Sequence, residues 1–405
     1  MAETHKHSLP GGEAVPRRAD WRIRWHTRMA DIPEDQWNRL ALPLATPLLE
    51  WQWLHDLEAS GSIAPSQGWH PLHLTLWADE RLAAAAPLYL KTHSAGEFVF
   101  DHWWAQLADD LQIPYYPKLV GMSPVTPAVG YRFLLDPEID PAAGARFLTA
   151  AIDQLCTARK IASCQFNFVD PHWVAPLTSC GFTAWEHQNF IWRNPGYSDF
   201  DGYSAAFKSN QRRNINRERR RLQAEGIVIR ALAGEAIDPR LAGPMYRFYL
   251  RTNAQYGPWA ARYLNADFFE RLFKNYRRRL LVMAAFRGAA EVPLALSLLL
   301  HKEDHLIGRY WGCAEQVKDL HFNLCFYGPI EWAIAHRVRT FDPGAGSPHK
   351  IFRGFEATAC VSLHRFYNPR LNGLFKHFIS DINAAERAHI DELNRQLPYA
   401  RRPVQ

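Results

Sequence analysis

Apolar residues recur at helical spacing in two stretches of the chain. Phe147, Ala151 and Leu155 fall at i, i+4 and i+8 within 141–160, and Leu324, Tyr327, Ile330 and Ile334 form one stripe within 320–335. Both predict amphipathic helices, because side chains three and four positions apart share a helix face. Short apolar runs bounded by polar turns predict hairpins: 71–77 runs into Ala78-Asp79-Glu80-Arg81, and 280–286 runs into Arg287-Gly288. Further strands are expected at 164–169, 183–192 and 358–367. Each half then reads strand, helices, antiparallel hairpin, helix, strand, short helix or loop, Gly-Phe, strand. That order predicts the α+β class with mixed, mainly antiparallel sheets flanked by helices.

The same punctuation occurs twice. Phe168-Val169-Asp170-Pro171 leads through a loop to Gly181-Phe182 and a strand; Phe341-Asp342-Pro343 leads to Gly354-Phe355 and another. Upstream, Pro87-Leu88-Tyr89-Leu90 answers Pro293-Leu294-Ala295-Leu296. The repeat predicts two tandem units, 21–193 and 194–385, between a disordered tail at 1–20 and a C-terminal tail at 386–405. Pro87 is expected to superpose on Pro293, and Asp170 on Asp342. The first half is longer, with an insertion near 101–141 that contains Tyr115-Tyr116-Pro117-Lys118; its Pro and Tyr content predicts an ordered surface loop or short hairpin.

Composition narrows the class. With 47% hydrophobic and 22% charged residues, the chain carries enough apolar surface to offset ordering entropy, so it is not a disordered protein. Its 405 residues exceed what one core serves, which agrees with two units. No apolar run is long enough for a transmembrane helix, and 1–20 lacks the apolar region of a signal peptide. Six scattered cysteines without a Cys-x-x-Cys pair point to a reducing compartment, so the protein is expected in the cytoplasm. No Gly-x-Ser-x-Gly elbow appears, and His321 has no His or carboxylate four positions on, so neither a serine hydrolase nor a metal site is expected.

The element order, with Gly-Phe opening a last strand, resembles the Gcn5-related N-acetyltransferase (GNAT) fold, and two such units resemble the FemAB peptidoglycan aminoacyltransferases. The chain is most similar to the FemAB-like family of N-acyltransferases, the peptidoglycan biosynthesis/recognition type. The likeness rests on Pro87 through Lys91, His93, Ser94, Gly96 and Glu97 to Asp101, on Tyr115-Tyr116-Pro117-Lys118, and on Gly308-Arg309-Tyr310-Trp311-Gly312. Leu320-His321-Phe322 and Phe341-Asp342-Pro343 through His349-Lys350 to Arg353-Gly354-Phe355 complete it. It implies transfer of an acyl or aminoacyl group from an activated carrier to an amine, the second unit carrying the chemistry and the first helping to form the acceptor cleft. Asp342 and Asn323 each stand where the family pattern has Glu, and Ser347-Pro348 replaces a Gly-Glu-like pair.

The stretch from Trp311 to Leu320 has one Gly and two carboxylates, not the Gly-rich turn that holds a pyrophosphate in acetyl-coenzyme A enzymes. The donor is therefore expected as a co-substrate, an aminoacyl-tRNA, an acyl carrier or an acyl-CoA, with no tightly bound cofactor. An acetyl-CoA-dependent N-acetyltransferase and a non-catalytic nucleic-acid or cell-wall-precursor binding module are the alternatives.

Candidate residues fall in three groups. Around the loop 343–354, His349 or Asp342 could take the amine proton, and Lys350 or Arg353 could stabilise the developing oxyanion. Lys91 and His93 are expected at the rim of a cleft, where they would hold an anionic acceptor, and Lys118 is a further substrate-binding candidate. Arg309, Tyr310, Trp311 and His321 join them as substrate-binding candidates, with Glu331 or Asp342 as the partner of Arg309. Strand alternation predicts Arg309 and Trp311 on one face. Finally, 208–221 carries seven basic residues against Glu218 alone, and Arg213, Arg217 and Arg220 share a helix face suited to tRNA or another polyanion. The oligomeric state is not written in the sequence.

Overall fold

Local chemistry sets the boundaries of the helices. Asp140 accepts a hydrogen bond from the Ala143 N–H at 2.8 Å, and Pro141 takes the first turn of the helix Pro141–Ala158. Asp170 does the same for Pro171–Ser179; a carboxylate cap followed by Pro satisfies and replaces the donors that a helix start leaves open. These elements come from a computed structural model that describes residues 5–6, 21–257, 260–344, 346 and 348–400. The expected tail at 1–20 lies outside the described residues, apart from His5–Lys6, which pairs with Arg22 and Ile23.

The chain divides into two compact units, Met1–His187 with Ala359–Arg387, and Gln188–Thr358 with Ala388–Gln405. In the first, Trp21–His26, His73–Ala78, Arg81–Ala86 and Leu134–Leu135 form antiparallel neighbours. Leu88–Lys91 lies antiparallel to Trp69–Pro71 and to Lys118–Gly121, and Lys118–Gly121 runs parallel to Ser163–Phe166. In the second unit, Ile227–Ala233, Leu280–Arg287, Ala295–Lys302 and His305–Cys313 are successive antiparallel neighbours, and His305–Ile307 then pairs in parallel with Thr340–Asp342. Each unit is thus an antiparallel series closed by one parallel strand, and Asp170 and Asp342 both fall at the C-terminal side of that strand.

Three sequence expectations are corrected. The units are interrupted, because their closing strands are exchanged: Trp192 and Arg193 pair with Phe341 and Thr340 in the second unit, while Leu363–Phe366 pairs with Ser163–Phe166 in the first. Pro87 lies between Arg81–Ala86 and Leu88–Lys91, whereas Pro293 lies in the turn ahead of Ala295–Lys302, so their shared Pro-Leu is not a structural match. The segment expected as a tail from 386 continues the helix Pro369–Arg395, whose Ile390 and Leu393 are buried apolar residues.

The second unit buries Leu281, Met283, Leu299, Ile330, Ile334 and Phe341 in one core. The expected helix at 320–335 is present as Leu320–Phe322, a π-turn at Asn323–Tyr327 and Gly328–Ala335. No described helix is long and apolar enough to cross a membrane.

Candidate active site

Strand Thr340–Asp342 ends on a buried carboxylate. Asp342 accepts from the Gly344 N–H at 2.8 Å and from the Asn189 amide at 3.1 Å, and burial raises its pKa. Gly344 makes this turn at φ 80°, a left-handed conformation that costs Gly least. Its carbonyl accepts from the Lys350 ammonium. Lys350 is itself buried, and that burial lowers its pKa to about 8 against the opposing pull of Asp342.

The short helix Pro348–Arg353 then presents His349 and Arg353. The His349 ring lies 5.7 Å from Phe322, 5.7 Å from Phe326 and 6.0 Å from His321, centroid to centroid. Its Nε2 is enclosed and has no hydrogen-bond partner among the described residues. Burial, then the charges of Arg353 and Lys350, lower its pKa to about 4. Burial likewise lowers His321 to about 3, with His349, Arg353 and Lys350 adding to the effect, and Trp311 packs on it at 4.5 Å. Two neutral imidazoles therefore face each other beside two cations.

Arg353 is anchored on several sides. It lies 3.5 Å over the Phe322 ring, donates to the His349 carbonyl at 3.1 Å, and donates to Glu218 at 3.1 Å. Tyr327 donates to the same Glu218 carboxylate, and Tyr203 donates to the Arg353 carbonyl at 2.9 Å. Glu218 was not among the sequence candidates; its only signal was being the lone acid in a basic run. Asn323 donates to the backbone carbonyls of Glu218 and Asp319.

The neighbouring strand departs from simple alternation. Its register steps from Leu298 opposite Tyr310 to Leu299 opposite Gly308, a bulge at Arg309 that interrupts the expected sharing of a face with Trp311. Arg309 donates to the Tyr310 hydroxyl at 3.0 Å and stacks on that ring, and its charge opposes, without overcoming, the rise that burial gives the Asp342 pKa. Glu331 is not its partner: it pairs with Arg219 at 2.7 Å.

Lys91 is not a rim residue, and Lys118, the further substrate-binding candidate, is not open to a ligand either. Both are fully buried in the first unit, where Lys118 pairs with Glu97 at 2.7 Å and with Asp101 at 2.5 Å. Lys91 lies 3.5 Å from the Trp69 ring, donates to the Ala95 carbonyl at 2.6 Å, and stands 3.8 Å from Glu97. The two acids of the same motif pair closely with Lys118, whose buried charge persists because it is so paired, whereas burial outweighs the more distant Glu97 at Lys91 and lowers its pKa to about 7. His93 is half-buried and contacts the Gln67 carbonyl at 3.1 Å.

The helix expected in the basic run spans Ser209–Ala224, with Ile215 and Leu222 buried and Arg213, Arg217 and Arg220 exposed. Arg213 donates to Asn210, and none of the three forms an ion pair among the described residues.

Residues 28–401 match the FemAB-like family, described as peptidoglycan biosynthesis/recognition. Among solved structures, FemX aligns with a TM-score of 0.52 at 10% identity, over 86% of this chain and 98% of that one. A tandem GNAT protein from the clavulanic acid biosynthesis pathway gives 0.44 at 14% identity, over 86% and 99%, and L-PGS from Bacillus licheniformis gives 0.46 at 11% identity, over 88% and 98%. The FemX likeness concerns the fold alone. No curated protein matches the chain.

Proposed function

The chain belongs to the FemAB-like family of peptidoglycan biosynthesis/recognition proteins, and on that premise we propose that it transfers an acyl or aminoacyl group from an activated carrier to an amine of a cell-wall precursor. The observation that supports this reading is the His349 imidazole, which burial and the neighbouring charges of Arg353 and Lys350 keep neutral, and whose enclosed Nε2 has no partner among the described residues. As the amine attacks the carbonyl, a C–N bond forms and the nitrogen sheds a proton to His349. The tetrahedral oxyanion is stabilised by the charges of Lys350 and Arg353, whose Nε also has no hydrogen-bond partner among the described residues. The C–O or C–S bond to the carrier then breaks, and His349 returns the proton to the departing oxygen or sulfur. Asp342 keeps Gly344, and through it Lys350, in register.

An aminoacyl-tRNA or carrier-bound acyl group fits better than acetyl-CoA as donor, because the stretch from Trp311 to Leu320 has one Gly and ends on Asp319 as the cap of the Leu320 helix, where a pyrophosphate would need N–H groups. The exposed Arg213, Arg217 and Arg220 suit a polyanionic carrier. Six free thiols fit a cytoplasmic setting. The test is single-turnover transfer with aminoacyl-tRNA and acyl-thioester donors, comparing wild type with His349→Gln. The variant should lose about a hundredfold in rate with unchanged acceptor affinity. No transfer by wild type with either donor class would leave the chain a binding module.

A further inference from the structure

One aromatic of the active-site loop takes no part in the transfer step. Phe352 leaves 46% of its surface to solvent, whereas its neighbour Ile351 is buried. It stands three residues after His349 in the short helix Pro348–Arg353, which winds with three residues per turn. Positions three apart eclipse in such a helix, so ring and imidazole project from one face, about 6 Å apart along the axis at roughly 2.0 Å per residue. The backbone under the ring is tied to the basic helix, because the Gln211 amide donates to the Phe352 carbonyl at 2.6 Å. Lys208 lies one turn before Gln211 and Arg212 directly after it, and the two share a side of the helix at i, i+4 spacing. Both are exposed, and neither forms an ion pair among the described residues. Glu218, the one acid of that helix, is already committed to Arg353 and Tyr327.

We propose, resting on the transfer reading above, that Phe352 stacks on the terminal nucleobase of an aminoacylated RNA, with Lys208 and Arg212 on its last phosphates. A π face flanked by two uncompensated cations matches single-stranded nucleic acid, whose bases stack on aromatic rings while its phosphates need neutralising. The spacing fits as well. In an aminoacyl ester only the ribose stands between the reacting carbonyl and the base, so the base must lie within a nucleoside's length of His349. An acyl thioester places no π system at that distance, and an apolar acyl chain gains nothing from the two cations. Phe352 is therefore a donor-binding residue that separates the two donor classes.

Equilibrium binding of the full chain to two tRNAs tests it, one with its 3′-terminal adenosine intact and one whose terminal ribose lacks the base. Wild type should bind the intact RNA about tenfold more tightly, within the range of one base–aromatic stack. Phe352→Leu keeps an apolar side chain but removes the π face, and should bind the two RNAs alike; Phe352→Trp should restore the preference. Lys208→Gln combined with Arg212→Gln should weaken both RNAs equally, with a shallower dependence on salt, and leave the preference for the base intact. Photocrosslinking of tRNA ending in 8-azidoadenosine to wild type should label 348–353, and needs no variant to fold. Equal binding of the two RNAs by wild type, a preference that survives Phe352→Leu, or a label elsewhere would each overturn the stacking while leaving transfer to the His349 site. Absence of tRNA binding together with transfer from a thioester donor would overturn the nucleic-acid donor alone, and absence of transfer from either donor class would remove the transfer reading itself.

Discussion

The Arg353 guanidinium donates to the Glu218 carboxylate at 3.1 Å, and both side chains are largely withdrawn from solvent. The one acid of an arginine-rich helix thereby holds the residue that closes the His349 loop. Removing one member of such a pair strands the other charge, which is far costlier than never having buried either. Glu218→Gln should lower unfolding stability by about 2–3 kcal/mol, discounted from the cost of a fully buried pair, and denaturant titration measures it. A loss no larger than that of an exposed control such as Glu225→Gln would show that Glu218 is not the anchor.

Burial and two neighbouring cations keep His349 unprotonated through neutrality, with its pKa lowered from the usual 6.5 to about 4. Its imidazole resonances should titrate near pH 4 by NMR, and the acid limb of transfer due to this residue should fall there too. Lys350→Met removes one of the two cations and should move that midpoint upward, because the imidazolium then meets less repulsion. An unmoved midpoint would separate the two residues electrostatically.

Helices and hairpins were legible because period and turn chemistry are local. Pairing across long separations was not. Nothing in Thr183–Arg193 or Glu356–Phe366 states that their ends pair outside their own half, since an alternating strand satisfies either neighbour. The Asp342, Lys350, Arg353 loop was found from residue type and resemblance. Glu218 was missed because a single Glu among arginines reads as a helix-face charge pair. Lys91 and Lys118 were misplaced because lysine at a strand end is usually exposed; Glu97 and Asp101, within the same motif, were the sign that the charges are balanced internally.

That internal balance makes the two lysines differ. Lys118 contacts two acids, whose charges raise its pKa although burial alone would lower it. Lys118→Met leaves Glu97 and Asp101 buried without their main counter-charge and should cost about 3–5 kcal/mol at pH 7. Lys91→Met should cost less than half of that in the same denaturant titration. Equal costs would mean that the four groups act as one unit.

Lys91 also sets a pH dependence. Burial lowers its pKa from 10.5 to about 7, so between those values the unfolded chain holds a proton that the folded chain has lost. Stability then rises with pH across pH 7 to 10.5 as far as this group is concerned. Lys350, lowered to about 8, contributes in the same direction over a narrower window. Lys91→Met should remove part of the rise, seen as a flatter dependence of the urea midpoint between pH 7 and 9. A rise identical to wild type would assign it to other groups.

The exposed arginines should behave in another way, because they support no fold. Arg213, Arg217 and Arg220 lie on the solvent side of a helix whose Ile215 and Leu222 supply the packing, and no described acid pairs with them. Their mutual repulsion is relieved only by a bound anion or by salt. Changing all three to Gln should leave the unfolding midpoint within about 0.5 kcal/mol of wild type. If a tRNA uses this face, each arginine neutralises about one phosphate and releases counterions, so the slope of log affinity against log salt should become shallower by up to roughly two. Filter binding of aminoacylated tRNA between low and physiological salt reads both the affinity and the slope. A weaker affinity with an unchanged slope would mean contact without charge neutralisation, and neither change would remove this helix from the polyanion surface while leaving the His349 site as proposed.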